Sequence, residues 1–267
     1  MHTLAGLQAH GVTDRGRIRP TNEDCFALDA RLQLCVVADG MGGHNAGEVA
    51  SRLAVETVVE HVSNCGVTTS WPYGYDPACS ARGNLLRTAV HVANARLFAT
   101  ASASPQYAGM GTTIVAALVT GGTLAVAHVG DSRCYAVDEG RARQLTEDDS
   151  WVAAMLARDP QLDAALLKAH PMRHALTSVL GSRPTVSVHL VEHPLPETAT
   201  IVLTTDGVHG VLRAEDLAAP CGGPDVQAAA ERLVRSAIEQ GSRDNCTAVV
   251  FRVSSRHPAW SGPSHPA

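Results

Sequence analysis

The sequence predicts an α+β fold, built as one domain with sheets in the middle and helices outside. Three observations lead there. Strand-like apolar runs gather in two clusters instead of alternating strictly with helices. Helices with an apolar stripe lie early and late in the chain, as covers for a sheet. No internal repeat or low-complexity block divides the 267 residues, a length suited to one large domain.

Residues 25–28 and 32–38 ("LQLCVVA") read as strands joined by a turn around Asp29, Ala30 and Arg31. Residues 47–62 place Ala50, Leu53, Ala54, Val58 and Val62 at three- and four-residue steps, the helical period. Residues 63–83 are rich in Gly, Pro and Ser and read as a loop whose Trp71, Tyr73 and Tyr75 cover the core edge in one reading and contact a partner in the other, the first being favoured. A second helix follows over 84–100, with Leu86, Ala89, Val90, Ala93 and Leu97 on one face.

Next come "GTTIVAALV", "TLAVAHVG" and "CYAVDEGRARQL", strand-like runs separated by glycine turns, which read as an antiparallel meander. Residues 148–175 look helical but are broken by Pro160 and Pro171. Strands are expected at 185–191, 200–204 and 246–253, and a helix at 226–240 stopped by Gly241. That helix has a one-sided stripe (Val226, Ala229, Ala230, Leu233, Val234, Ala237) and so packs on a sheet. Residues 1–254 form the expected domain, and 255–267 are expected to be a disordered tail.

Composition excludes several classes. Net charge is -5 with Lys and Arg dispersed, which argues against a nucleic-acid surface. The run nearest to a membrane span, "TIVAALVTGGTLAVAHVG", is broken by Gly121 and Gly122. The N-terminus lacks the charged start and long apolar core of a secretory signal. The seven cysteines, at 25, 35, 65, 79, 134, 221 and 246, show no CxxC spacing and read as small hydrophobes in a reducing cytoplasm. A soluble, cytoplasmic protein is expected, monomeric by default.

The acids sit where apolar runs stop. "VVADGMGG" ends a strand-like run on Asp39, "IVLTTDG" on Asp206 and "LAVAHVGDS" on Asp131. "GSRDNCTAVVF" puts Asp244 just before the last strand, and "RPTNEDCF" puts Glu23 and Asp24 just before the first. One strand-end Asp-Gly is ordinarily a turn, but five acidic clusters at strand ends make a pattern. Antiparallel neighbours bring one strand's end beside the next strand's start, so these groups can converge on one rim. Unpaired, they would repel and protonate. Mg²⁺ or Mn²⁺ resolve that conflict with carboxylate, carbonyl and water ligands, and Gly40 leaves its carbonyl free to turn toward a metal.

Other signals are weaker. Cys25 to Arg31 and Cys246 to Arg252 match the C-x5-R spacing of cysteine phosphatases, but both intervening runs are apolar and strand-like. His170 and His174 have the spacing of a helical zinc pair, yet Pro171 intervenes and no HExxH glutamate is present. A GxxxxGK[ST] phosphate loop is absent.

Eight stretches in order resemble the metal-dependent protein serine/threonine phosphatases of the PPM, or type-2C, class in their compact bacterial form. They are "TDRGRIRPTNEDCF", "VVADGMGGHNAGEVAS", "GMGTTIVAALV", "LAVAHVGDSRCY", "QLTEDDSWV", "HALTSVLGS", "IVLTTDGVHGVL" and "GSRDNCTAVVF", spanning about residues 8 to 253. The resemblance implies a four-layer αββα sandwich of two antiparallel sheets flanked by helices, with two divalent cations (Mn²⁺ or Mg²⁺) at one edge. Asp39 would bridge them, the Gly40 carbonyl would bind one, and Asp206 and Asp244 the other. Glu23 and Asp24 would hold metal-bound waters, Asp131 resembles the ligand of a third cation, and Arg19 matches the arginine that grips substrate phosphate. Residues 146–180 resemble the flap beside the site of bacterial members.

The implied reaction is hydrolysis of phosphoserine and phosphothreonine in proteins by a metal-bridged hydroxide, without a covalent intermediate. Phosphorylated proteins, including a serine/threonine kinase, would be the partners. The chain departs from many eukaryotic relatives in having Met41 where a histidine follows the Asp-Gly pair. His44, the nearest histidine, and metal-bound water are the candidates for protonating the leaving group. Two other readings are a non-catalytic phosphoprotein-binding relative, disfavoured because Asp39, Asp206 and Asp244 are all present, and a phosphatase specialised for anti-sigma antagonists.

Overall fold

The computed structural model describes residues 2–4, 6–43, 46–65, 71–195 and 199–253. His44 and the tail 255–267 lie outside the described residues. The chain opens with β1 (His2–Leu4), β2 (Leu7–Asp14), β3 (Asp24–Asp29) and β4 (Leu34–Met41), then α1 (Ala46–Asn64) and α2 (Ala81–Ala103). The middle holds β5 (Gly111–Thr112), β6 (Ile114–Thr120), β7 (Thr123–Val129), β8 (Arg133–Asp138) and β9 (Arg141–Gln144). Short helices α3 (Trp151–Arg158) and α4 (Ala164–Ala169) precede β10 (His189–Pro194) and β11 (Thr200–Thr204). Finally come α5 (Asp206–His209), α6 (Ala214–Ala218), α7 (Val226–Glu239) and β12 (Cys246–Val253).

Two antiparallel sheets result, one ordered β1-β2-β12-β11-β8-β9 and the other β10-β7-β6-β4-β3. Strict alternation along the strands explains why they stack. In β4, Leu34, Val36 and Ala38 face the α1–α2 layer while Cys35 and Val37 face the other sheet. In β12, Val249 and Phe251 face the first sheet's partner, while Cys246, Ala248 and Val250 face α7. Each sheet is therefore apolar on both sides, and the layers run helix, sheet, sheet, helix. This is the four-layer sandwich expected of the resemblance.

Three expectations need correction. The run "CYAVDEGRARQL" does not extend the β6–β7 hairpin. It is itself a hairpin, β8–β9, turning at Glu139 and Gly140 (φ 48° and 75°), and β8 lies beside β11 in the other sheet. The chain crosses between sheets at Gly130, whose φ of 96° suits glycine. The strand expected at 185–191 pairs only from His189, because its partner β7 ends at Val129. Residues 7–14, not expected to be a strand, pair along their whole length with β12, from Leu7↔Val253 to Asp14↔Cys246.

In the loop before α2, Tyr73 stacks on His91 with ring centroids 4.7 Å apart, but Tyr73 and Tyr75 stay 42% and 46% exposed and do not close over the core. All seven cysteines are free thiols, four of them buried. No helix among the described residues is long and apolar enough to cross a membrane.

Phe251 is wholly buried between the two sheets. Phe251→Ala is expected to lower unfolding free energy by about 3–5 kcal/mol, read from the urea midpoint at unchanged slope; a loss below about 1 kcal/mol would contradict this packing.

Candidate active site

With every sheet face covered, the polar groups collect at strand ends. Asp39 lies near the end of β4 and is the cross-strand partner of Asp24, which opens β3. Asp206 is the first residue of α5, directly after β11, and Asp244 lies two residues before β12. Asp131 occupies the crossing from β7 to β8. Antiparallel pairing puts all of them on one rim, where Asp39 feels the charges of Asp24, Asp206, Asp131 and Asp244.

The backbone of Asp39 is fastened independently of its carboxyl. Its carbonyl accepts from Thr113 N–H (2.9 Å) and from the Thr112 hydroxyl (2.8 Å). Its own N–H donates to Thr113 Oγ1 at 3.1 Å, and that hydroxyl also meets Ser132 Oγ at 2.7 Å. Asp24 is held at one oxygen only: Oδ2 accepts from the hydroxyls of Thr205 (2.9 Å) and Thr247 (2.6 Å). Its Oδ1, like Asp206 Oδ1, is buried with no hydrogen-bond donor among the described residues.

Burial pushes the Asp39 carboxyl well above the usual range, and the neighbouring carboxylates push the same way. Asp24 rises to about 7, chiefly through burial and against the pull of its two threonine hydroxyls. Asp131 rises to about 7 by burial and by Asp206. Asp206 is raised by burial and by Asp244, and its carboxyl stands within hydrogen-bonding reach of Asp39. Two carboxylates at that distance need a proton or a cation between them.

Asp244 is differently engaged. Arg19 Nη2 donates to its Oδ2 at 2.6 Å and the Asn245 N–H to its Oδ1 at 2.9 Å. The Arg19–Asp244 pair is open to solvent, with side chains 51% and 34% exposed. Glu23 lies against the first turn of α1, where a Cβ on Gly47 would come within 2.6 Å of its carboxyl carbon. Burial raises Glu23. Gly40 is equally tight, since a Cβ there would approach the Gly47 carbonyl oxygen to 2.0 Å. Arg19, Pro20, Thr21, Glu23, Gly42 and Asn245 line a cleft of about 200 Å³ beside the acids.

The donor chemistry fits hard divalent cations: carboxylates, two buried oxygens without donors, and backbone carbonyls near by. Among the described residues no three carboxylate, imidazole or thiol groups already form a closed ligand cluster. Asp244 instead carries the Arg19 hydrogen bond.

Sequence reading missed the threonines that hold Asp24 and Asp39, although Thr205 and Thr247 adjoin acids it named. It also missed the base of the 146–180 segment. Arg133 grips Asp148 with two hydrogen bonds (2.8 and 2.7 Å), and Asp149 accepts from Gly130 N–H (2.9 Å) and pairs with His189 Nε2 (3.0 Å). The two ends of the segment are joined by Trp151 N–H to Ala175 and Thr177 N–H to Asp149 (each 2.8 Å). Between them, α3 and α4 pack mainly on each other and on the turn 171–174. His170, set aside as a zinc ligand, stacks on Trp151 (4.4 Å), whereas His174 comes within electrostatic reach of Asp206. Cys25 and Cys246 lie in β3 and β12, as their apolar surroundings imply.

The family model for Protein phosphatase 2C matches residues 20–240. The serine/threonine protein phosphatase PstP of Mycobacterium tuberculosis is 32% identical over 244 residues, covering 90% of this chain and 44% of PstP. This chain thus spans less than half the length of that relative. The serine/threonine phosphatase stp of Listeria welshimeri is 31% identical over 91% of this chain and 95% of its own length. A crystal structure of the PstP catalytic domain in complex with two manganese ions superposes with a TM-score of 0.78 and 31% identity, covering 94% of this chain and 99% of that one. The αββα layers thus have their counterpart in a solved structure, and the chain belongs to the protein phosphatase 2C family.

Proposed function

We propose that this chain hydrolyses phosphoserine and phosphothreonine esters in proteins, using divalent cations held at the acidic rim. The observation that carries the reading is the set of buried carboxyls, Asp24, Asp39, Asp131 and Asp206, all raised above the usual range although Arg133 acts on Asp131 and His174 and Arg19 on Asp206. Phosphorylated proteins are the substrates, a serine/threonine kinase among them. The PstP and stp relatives, serine/threonine phosphatases by name, support the same reading, as does the manganese in the PstP catalytic domain. A non-catalytic binding role is disfavoured by the retention of Asp39, Asp206 and Asp244.

In this reading Asp39, the Gly40 carbonyl, Asp206 and Asp244 would hold two divalent cations, manganese or magnesium, and Asp131 would serve a third. Bound there, the cations supply Lewis acidity that makes water a nucleophile at neutral pH and draws charge off the phosphate. Glu23 and Asp24 orient water, Asp24 through Oδ1, the oxygen its two threonines leave free. Arg19 leaves Asp244 and places two N–H groups on phosphate oxygens, which its planar guanidinium does better than a lysine. The 146–180 segment, fastened at its base and loosely packed beyond, screens protein substrates.

Purified protein with Mn²⁺ is expected to release phosphate from a phosphothreonine peptide, and EDTA to abolish release. Asp39→Ala should lower kcat by at least ~100-fold, and Arg19→Ala should raise KM at least ~10-fold, since each of its two charge-assisted hydrogen bonds is worth about 1.5 kcal/mol or more. An unchanged rate in Asp39→Ala refutes the metal assignment.

Stability should report the same carboxyls. Without cations, folded Asp24 and Asp131 keep protons up to about pH 7 that the unfolded chain releases near pH 4. Their contribution is complete below about pH 4 and is lost as pH rises to about 7. Cations bind the ionised forms, so the melting-temperature gap between Mn²⁺ and EDTA samples should widen from about pH 5 to about pH 8, the underlying stabilisation reaching ~2.7 kcal/mol at a hundredfold excess over Kd. A gap that stays constant counts against carboxylate ligation.

Deleting residues 152–168 is expected to change activity on phosphoproteins more than on a small aryl phosphate. Equal losses on both would remove the screening role of the segment.

A further inference from the structure

We propose that Asn245 is the positioning residue for Arg19: it fixes the loop from which that arginine reaches the phosphate site. The proposal rests on the phosphate-binding role given to Arg19 above and adds what makes that role workable.

Arg19 stands on the segment between β2 and β3, residues 15–23, which has no regular backbone ladder of its own. Its side chain is long and half exposed. Such a group grips an anion productively only if its Cα is held still, because a misplacement near 1 Å can cost on the order of a hundredfold in rate. Something must therefore hold the loop. Asn245, itself 5% exposed, does so with its entire side-chain amide. Nδ2 donates to the carbonyl of Arg15 and to that of Thr21, each at 2.9 Å. Oδ1 accepts the N–H of Glu23 at 2.8 Å. One side chain thus joins the two ends of the loop, four positions before Arg19 and two and four after it.

The chemistry of the position is demanding. It requires two donors and an acceptor in one plane at short reach, which asparagine alone supplies; aspartate has no donor, and glutamine is one carbon too long. Other bonds each fix one end of the loop: Asn22 Nδ2 donates to Thr13 Oγ1 at 2.9 Å, and Gly40 N–H to the Glu23 carbonyl at 3.1 Å. The Arg15 guanidinium donates to the Pro20 carbonyl at 3.2 Å, and Gly16 N–H to Asp14 at 2.7 Å. Gly16, at φ 75°, allows the loop to lie on the backbone of Asp244, where a Cβ would come within 2.4 Å of the carbonyl oxygen. Asp244 and Asn245 are adjacent, so one short segment carries both the carboxylate that Arg19 touches and the amide that pins its loop. Asn245 makes these bonds to main chain and acts on phosphate only through Arg19.

The test is a double-mutant cycle in Mn²⁺ with a phosphothreonine peptide, using Asn245→Ala, Arg19→Ala and the pair. Asn245→Ser, which loses at least one of the three bonds and adds no charge, serves if the alanine variant does not fold. The Asn245 variant is expected to raise KM about tenfold while kcat stays within about twofold, and the pair to be no worse than Arg19→Ala alone. Metal-free protein gives a second readout: trypsin should cut after Arg15 and Arg17 faster in the Asn245 variant than in wild type, at equal melting temperature. Effects that multiply in the pair, or an unchanged KM in the Asn245 variant beside a raised one in Arg19→Ala, overturn the proposal and leave the role of Arg19 standing. An unchanged KM in Arg19→Ala removes the phosphate role itself, and the proposal with it.

Discussion

Both sheets are apolar on both faces, and that constraint organises everything else. A helix layer covers one side of each sheet and the other sheet covers the remaining side, so the inner strands carry no charge in their middles, and Glu192 and Arg143 stand mid-strand only in the edge strands β10 and β9. Polar chemistry is confined to rims, where strands end. On one rim the chain places five aspartates and a glutamate, and the sandwich above them supplies the low-dielectric surroundings that make their mutual repulsion costly. The same burial that stabilises the core therefore makes the rim a place where acids cannot stay ionised unaided.

The threonines show how the fold tolerates this. Thr205 and Thr247, at the facing ends of neighbouring strands, both donate to one oxygen of Asp24, and Thr247 also meets the Thr13 hydroxyl at 2.7 Å. Thr112 and Thr113 hold the Asp39 main chain. These neutral groups fix positions without cancelling charge. An arginine in their place would neutralise the site and close it. Hydroxyls leave Asp24 Oδ1 buried without a donor, as Asp206 Oδ1 also is, so these oxygens can accept a cation or a proton.

How much of this was legible follows from what kind of information each feature needs. The helices over 46–64, 81–103 and 226–239 were visible because their apolar residues repeat at the helical period. The acids were visible because a charge ending an apolar run is locally anomalous. Residues 7–14 gave little periodic signal: Leu7 and Ala9 alternate inward, but His10 and Gly11 interrupt, and the strand exists because β12 offers it a full ladder. The meander failed for a related reason, since local sequence shows that β8 is a strand but not which sheet receives it. Asn245 was quoted inside a motif, yet its three partners lie more than 220 positions away, and no spacing rule reaches that far.

The Arg19–Asp244 pair is where strength and function diverge. At 2.6 Å it is short, but both partners are substantially exposed, and pairs of that kind contribute at most about 1 kcal/mol. It cannot be what holds the rim together. Loss of the pair removes little stability, whereas forcing a charge onto buried Asp39 without a counter-charge opposes folding. The acids therefore differ in kind: the deep ones lack a counter-charge, whereas Asp244, at the solvent-facing edge, has one in Arg19 that adds little to stability.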